Sequence, residues 1–125
     1  MKQRVEKPWG YEIIWARTPD YVGKMLFIRK GHKLSLQYHR QKEETIYVHS
    51  GEMLLTVEQD GALGVKTLRP GDEQHIPPGT RHRMEAVSDC EVFEVSTPQL
   101  DDVVRLEDAY GRAKPQRDSG KGSRP

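Results

Sequence analysis

Glycine-centred turns recur through the middle of this chain, at Gly31, Gly51, Gly61, Gly71 and Gly79, and the runs between them are short and alternate in polarity. That pattern is the period of strands rather than helices. Residues 11–15, 24–29, 34–39, 45–49, 53–58, 65–68, 83–87 and 91–95 each read as a strand. Asp60-Gly61 is a strong hairpin signal, because both residues tolerate the positive φ of a two-residue turn. Many short antiparallel strands in a chain of 125 residues give an all-β sandwich or small barrel with a single core.

Two of the turn-framed segments carry chemistry. Gln37 and His39 stand at i and i+2 of one strand and share a face, while Tyr38 points away. Glu44 follows before Gly51, and His82 follows Pro77 and Gly79 in the second frame. Alone, His39 reads as a satisfied core histidine and Glu44 as a surface charge at a strand end. Together, two imidazoles, a carboxylate and an amide oxygen make a mixed N/O site for a divalent first-row metal ion. Manganese, iron, nickel and cobalt suit this set as well as zinc does. Gln37 is the weakest of the four, since a neutral amide binds less strongly than imidazole and can act instead by hydrogen bonding.

The spacing Gly31-x5-Gln37-x-His39-x4-Glu44-x6-Gly51, followed by Gly71-x5-Pro77-x-Gly79-x2-His82, resembles the two motifs of the cupin superfamily. Gln37 stands where those motifs usually carry His, and Ala86 where they usually carry Asn. The segment Leu34-Ser35-Leu36-Gln37-Tyr38-His39 is similar to the C-terminal cupin domain of type II mannose-6-phosphate isomerases, as are Lys7-Pro8-Trp9-Gly10 and the stretch 102–112. The likeness runs from Lys7 to Arg112. It implies a jelly-roll barrel, a double-stranded β-helix, with a short C-terminal helix or extended arm over 101–110. It further implies a metal site of Gln37, His39, Glu44 and His82, zinc as the ion, and metal-dependent isomerisation of a sugar phosphate such as mannose 6-phosphate. Thr45 and Ile46 stand where isomerase cupins commonly have His and Trp. Two other functions fit the same residues: an iron- or nickel-dependent dioxygenase using His39, Glu44 and His82, and a non-catalytic module that binds a sugar or other small molecule.

Three residues are candidates for catalysis. Lys24 begins a strand that should line the barrel, where it either meets an anionic substrate or is a solvated strand-end lysine. Glu94, on the last strand, is an acid/base group if it faces inward. Arg112, closing Tyr110-Gly111-Arg112, can fold back over the barrel mouth with Tyr110. His32, Lys33, Arg81 and Arg83 flank the motifs, but alternation from His82 turns Arg81 and Arg83 outward, so they read as surface. His49 and His75 have no assigned role.

A net charge of +1 argues against nucleic acid as a partner. No apolar run is long enough for a membrane span or a signal peptide, and the single cysteine, Cys90, reads as structural. These features suit the cytoplasm. Trp9, Tyr11 and Trp15 suggest a homodimer, with Trp9 alternatively in the core. Residues 1–112 form the expected domain, and 113–125, almost without apolar residues, the expected disordered tail.

Overall fold

The computed structural model describes residues 2–113 together with Arg117–Ser119 and Gly122–Arg124. Its strands are β1 (Gln3–Lys7), β2 (Gly10–Arg17), β3 (Val22–Ile28), β4 (Leu36–Tyr38), β5 (Glu44–Ser50), β6 (Met53–Gln59), β7 (Ala62–Leu68), β8 (Glu73–Ile76), β9 (His82–Ala86), β10 (Cys90–Ser96) and β11 (Val104–Glu107). A further short pair, β12 (Arg117–Ser119) and β13 (Gly122–Arg124), lies in the tail. The disorder expected from 113 onward concerns residues that are partly outside those described.

Two antiparallel sheets make the walls of a jelly-roll barrel. One has the order β1-β2-β3-β10-β5-β8 and the other β11-β4-β9-β6-β7. There is no helix among the described residues, and hence none able to cross a membrane. The stretch 101–110 is the extended arm: β11 adds to the edge of the second sheet by pairing with β4. Three strands have little signal in the sequence, and all of them are edges: β1, β8 and β11. An edge strand faces water along one side and keeps polar residues, so its alternation is weak. In β8, for instance, only Ile76 is buried.

Elsewhere alternation positions the site. In β10 the residues Cys90, Val92, Glu94 and Ser96 point inward. Pairing sets Val92 beside Leu26 and Val48, and Glu94 beside Lys24 and Ile46. One end of the interior is therefore apolar, closed by Leu26, Ile28, Val48, Met53, Leu55, Met84 and Val92. The other end holds the buried polar residues Glu12, Lys24, His39, Lys42, Glu44, His82 and Glu94. Each fully buried aliphatic side chain contributes roughly 1.5–3 kcal/mol, and the dry end stabilises the polar one. Cys90 sits at the dry end, where burial pushes its thiol up to about 11, consistent with a structural, unreactive role. Trp9 is core, 3% exposed, whereas Trp15 lies outside on the sheet at 49%.

Asp60 and Gly61 have φ of 54° and 81°, the two-residue turn expected between β6 and β7. Gly51 has φ of 86°, and a Cβ there would stand 2.2 Å from Asp89 O. Gly51→Ala should destabilise the fold by roughly 1–3 kcal/mol or more. Gly64→Ala, on a strand with open space around it, should be neutral or stabilising by up to about 1 kcal/mol. Thermal unfolding of the two variants separates these expectations, and equal melting temperatures would contradict them.

Candidate metal centre

His39 lies just past β4, Glu44 opens β5 and His82 opens β9, so three chain segments deliver one side chain each. One ligand atom from each residue falls within 4.8 Å of the other two. Glu44 Oε1 is 3.5 Å from His39 Nε2, and Glu44 Oε2 is 3.4 Å from His82 Nε2. The imidazole centroids are 5.2 Å apart, with the rings tilted by 49°. All three residues are buried.

The outer nitrogens of both rings are tied to the backbone. His39 Nδ1 meets the carbonyl of Asp102 at 2.5 Å and His82 Nδ1 meets that of Thr80 at 2.9 Å. A carbonyl can only accept, so both Nδ1 atoms carry the hydrogen, and in the neutral rings both Nε2 atoms present a lone pair inward. His39 Nε2, His82 Nε2 and Glu44 Oε1 are buried without a hydrogen-bond partner among the described residues. Unpartnered buried atoms that converge in this way fit a divalent cation, and the donor set suits zinc or another first-row ion. Gln37 pairs with His82 across β4 and β9 and lines the same cavity, as its spacing implies. Its Oε1 accepts a 2.5 Å hydrogen bond from Ser35 Oγ, which leaves it a secondary donor at most.

Lys42 also lines this cavity, with no motif in the sequence to single it out. Its Nζ lies 3.2 Å from both Glu44 Oε1 and Glu94 Oε2, although neither contact has hydrogen-bond geometry. The i, i+2 spacing of Lys42 and Glu44 was the available signal, since an extended run turns both inward. Burial opposes the Lys42 charge, but the Glu94 and Glu44 carboxylates outweigh it and hold its pKa above the usual value. Burial likewise opposes charge on Glu44. There the imidazoles of His39 and His82, and then Lys42, prevail and keep its carboxyl well below the usual range. Glu94 goes the other way: burial, then the Glu44 charge, raises its pKa against the pull of Lys42 and Lys24.

The three catalytic candidates all line this cavity of about 90 Å3. Lys24 is buried, with Nζ 3.2 Å from Glu12 Oε1, and is not a solvated strand-end lysine. Glu94 faces inward. Arg112 folds back and is held by Asp108 through contacts of 2.9 and 3.0 Å. Tyr110 turns instead to His32, whose Nδ1 it meets at 2.6 Å. Arg81 pairs with Glu58, Arg83 with Glu107, and the exposed His75 with Glu43, all away from the cavity.

A jelly-roll barrel with an inward His-Glu-His cluster defines a cupin. Residues 25–96 match the cupin domain family, and the chain belongs to it. Among curated proteins it is 34% identical over 118 residues to the mannose-1-phosphate guanylyltransferase ManC of Salmonella typhimurium, covering 90% of this chain and 24% of ManC. It is 33% identical over 116 residues to the mannose-1-phosphate guanylyltransferase of Escherichia coli K12, covering 88% and 23%. The chain thus spans about a quarter of the length of these relatives. Among solved structures, KdgF from Halomonas sp. is 26% identical with a TM-score of 0.63, over 81% of this chain and 88% of that one.

His39→Ala or His82→Ala should remove most bound metal, whereas Gln37→Ala should weaken binding only modestly. Metal analysis after dialysis checks this, and full occupancy in His82→Ala would overturn the site. Asp102 yields a pH prediction. Its carboxylate accepts from the backbone N–H groups of Arg40, Gln41 and Lys42, and those bonds lower its pKa from 3.8 to about 2. A depressed carboxyl stabilises the fold fully above its unfolded pKa, and that contribution fades as pH falls through the folded value. The stability difference between wild type and Asp102→Ala should therefore be constant above about pH 5 and vanish towards pH 2. Denaturant titrations across that range measure it, and a pH-independent difference would contradict the assignment.

Proposed function

We propose that this cupin is a metal-dependent aldose-ketose isomerase of sugar phosphates, with mannose 6-phosphate and fructose 6-phosphate as the reference pair. One observation carries the reading: a buried Glu94 of raised pKa stands on the same cavity as a cluster fit for a divalent cation. Supporting it are the relatives named for mannose 1-phosphate and a cavity lining with five bases against three acids.

Isomerisation moves a proton between C2 and C1 of the sugar and another between its hydroxyl and carbonyl oxygens. His39, Glu44 and His82, with Gln37 beside them, would hold a divalent ion, which would supply Lewis acidity at the substrate oxygens. Glu94, whose pKa burial raises, is assigned the carbon-bound proton, which it would take as a base and return as an acid. Lys24, oriented by Glu12, donates to a substrate oxygen from the adjacent strand. Lys42 stays charged and, after His39 and His82, helps hold the Glu44 pKa down. Arg112 faces the anionic part of the substrate. A homodimer would bury the exposed apolar patch of Trp15, Tyr47 and Val95 on the outer sheet face, and light scattering would give its mass.

Metal-loaded protein in D2O, followed by proton NMR, should introduce deuterium at C2 of the aldose phosphate. Glu94→Gln should slow that exchange roughly 10²–10⁴-fold while retaining metal. Protein that holds its metal yet exchanges no proton of either sugar phosphate would refute the isomerase assignment and shift weight to oxygen chemistry or simple ligand binding.

A further inference from the structure

One straight row of partners crosses the inner face of the five-stranded sheet: Arg105 on β11 opposite Gln37 on β4, and Gln37 opposite His82 on β9. Directly paired residues share a face, and neighbouring strands lie about 4.8 Å apart, so the Arg105 backbone stands roughly 10 Å along the row from that of His82. It lines the same cavity as the cluster. Lys7, Gln37, Arg105 and Arg112 are only partly buried, whereas His39, Lys42, Glu44 and Glu94 are fully so, which marks the arginines as the open side.

The charges on that side do not balance. Lys24 is matched by Glu12, Lys42 by Glu44 and Glu94, and Arg112 by Asp108. Arg105 and Lys7 have no ion-pair partner among the described residues, and Arg105 Nε is buried without a hydrogen bond. Burial, and after it the Arg112 charge, lowers the Arg105 pKa even though Asp108 pulls the other way. A guanidinium nitrogen buried without a partner invites an anion, and a phosphate presents oxygens that match the fork of donors.

We propose that Arg105 anchors a phosphate subsite, completed by Arg112 and Lys7, that holds the phosphorylated end of a sugar whose other end reaches the His39-Glu44-His82 cluster. The proposal rests on the sugar-phosphate reading above and narrows it. Arg105 lies two strands away from His82, so the phosphate is assigned to the end of the carbon chain away from the reacting carbonyl. The 90 Å3 cavity is small beside the roughly 300 Å3 and more of typical ligand pockets, so the phosphate stays at the open side.

Calorimetric titration of the zinc-loaded protein with mannose, mannose 1-phosphate and mannose 6-phosphate tests this directly. Wild type should bind mannose 6-phosphate best. Arg105→Gln should lose about 10- to 100-fold of that affinity, with zinc content and the weak affinity for mannose unchanged. Arg105→Lys should recover only part of the loss, because an ammonium offers no fork. Arg105→Gln binding mannose 6-phosphate as wild type does, or losing mannose and zinc together with it, would overturn the subsite, as would wild type that prefers the 1-phosphate or binds neither. Arg105-dependent binding in protein that exchanges no sugar proton would keep the subsite and defeat the isomerase reading. Undiminished binding and exchange in Arg105→Gln would do the reverse.

Discussion

His39 Nε2, His82 Nε2 and Glu44 Oε1 converge in the barrel interior without a hydrogen-bond partner, and much of the polar end is arranged around that convergence. Each buried acceptor left without a partner costs roughly 1–3 kcal/mol, so three that converge at one point fit a bound cation. The supports are backbone groups. The Asp102 and Thr80 carbonyls take the outer ring hydrogens, and Gly79 N donates to His39 O at 2.7 Å, tying the second turn-framed segment to the first. Gly79 has φ of 80°, a conformation that favours glycine and lets the turn after Pro77-Pro78 make this contact.

Electrostatics then set what the neighbouring groups can do. The imidazoles of His39 and His82, and then Lys42, hold the Glu44 pKa down, while burial and then the Glu44 charge raise that of Glu94 against the pull of Lys42 and Lys24. Two carboxyls on one cavity thus have pKa values pushed in opposite directions. The division holds because the apolar end of the barrel is packed and fixes the strands on which these residues alternate.

Much of this was legible in the sequence because a strand has a period of two. Gln37, His39 and His82 follow from alternation and from turns at glycine, and the inward direction of Glu94 was one of two open choices. Lys42 obeyed the same rule but lay in the irregular connection before β5, where alternation was not applied. Glu12 and Arg105 were harder, since what gives them meaning is pairing between distant segments: the Glu12 side chain meets Lys24 across β2 and β3, and Arg105 reaches the site only because β11 docks on β4. Asp102 carried no signal at all, for its role is played by a backbone carbonyl and by hydrogen bonds to main-chain N–H groups. The polar edge strands β1, β8 and β11 were lost for the reason that makes them edges, their lack of an apolar face.

The central claim is that these convergent atoms bind one divalent ion directly. X-ray absorption spectroscopy of the zinc-loaded protein tests it most directly. The account predicts imidazole scattering from two histidines and first-shell N/O donors at about 2.0–2.2 Å, with the imidazole signal lost in His82→Ala. A shell of oxygen alone, or one containing sulfur from Cys90, would contradict it.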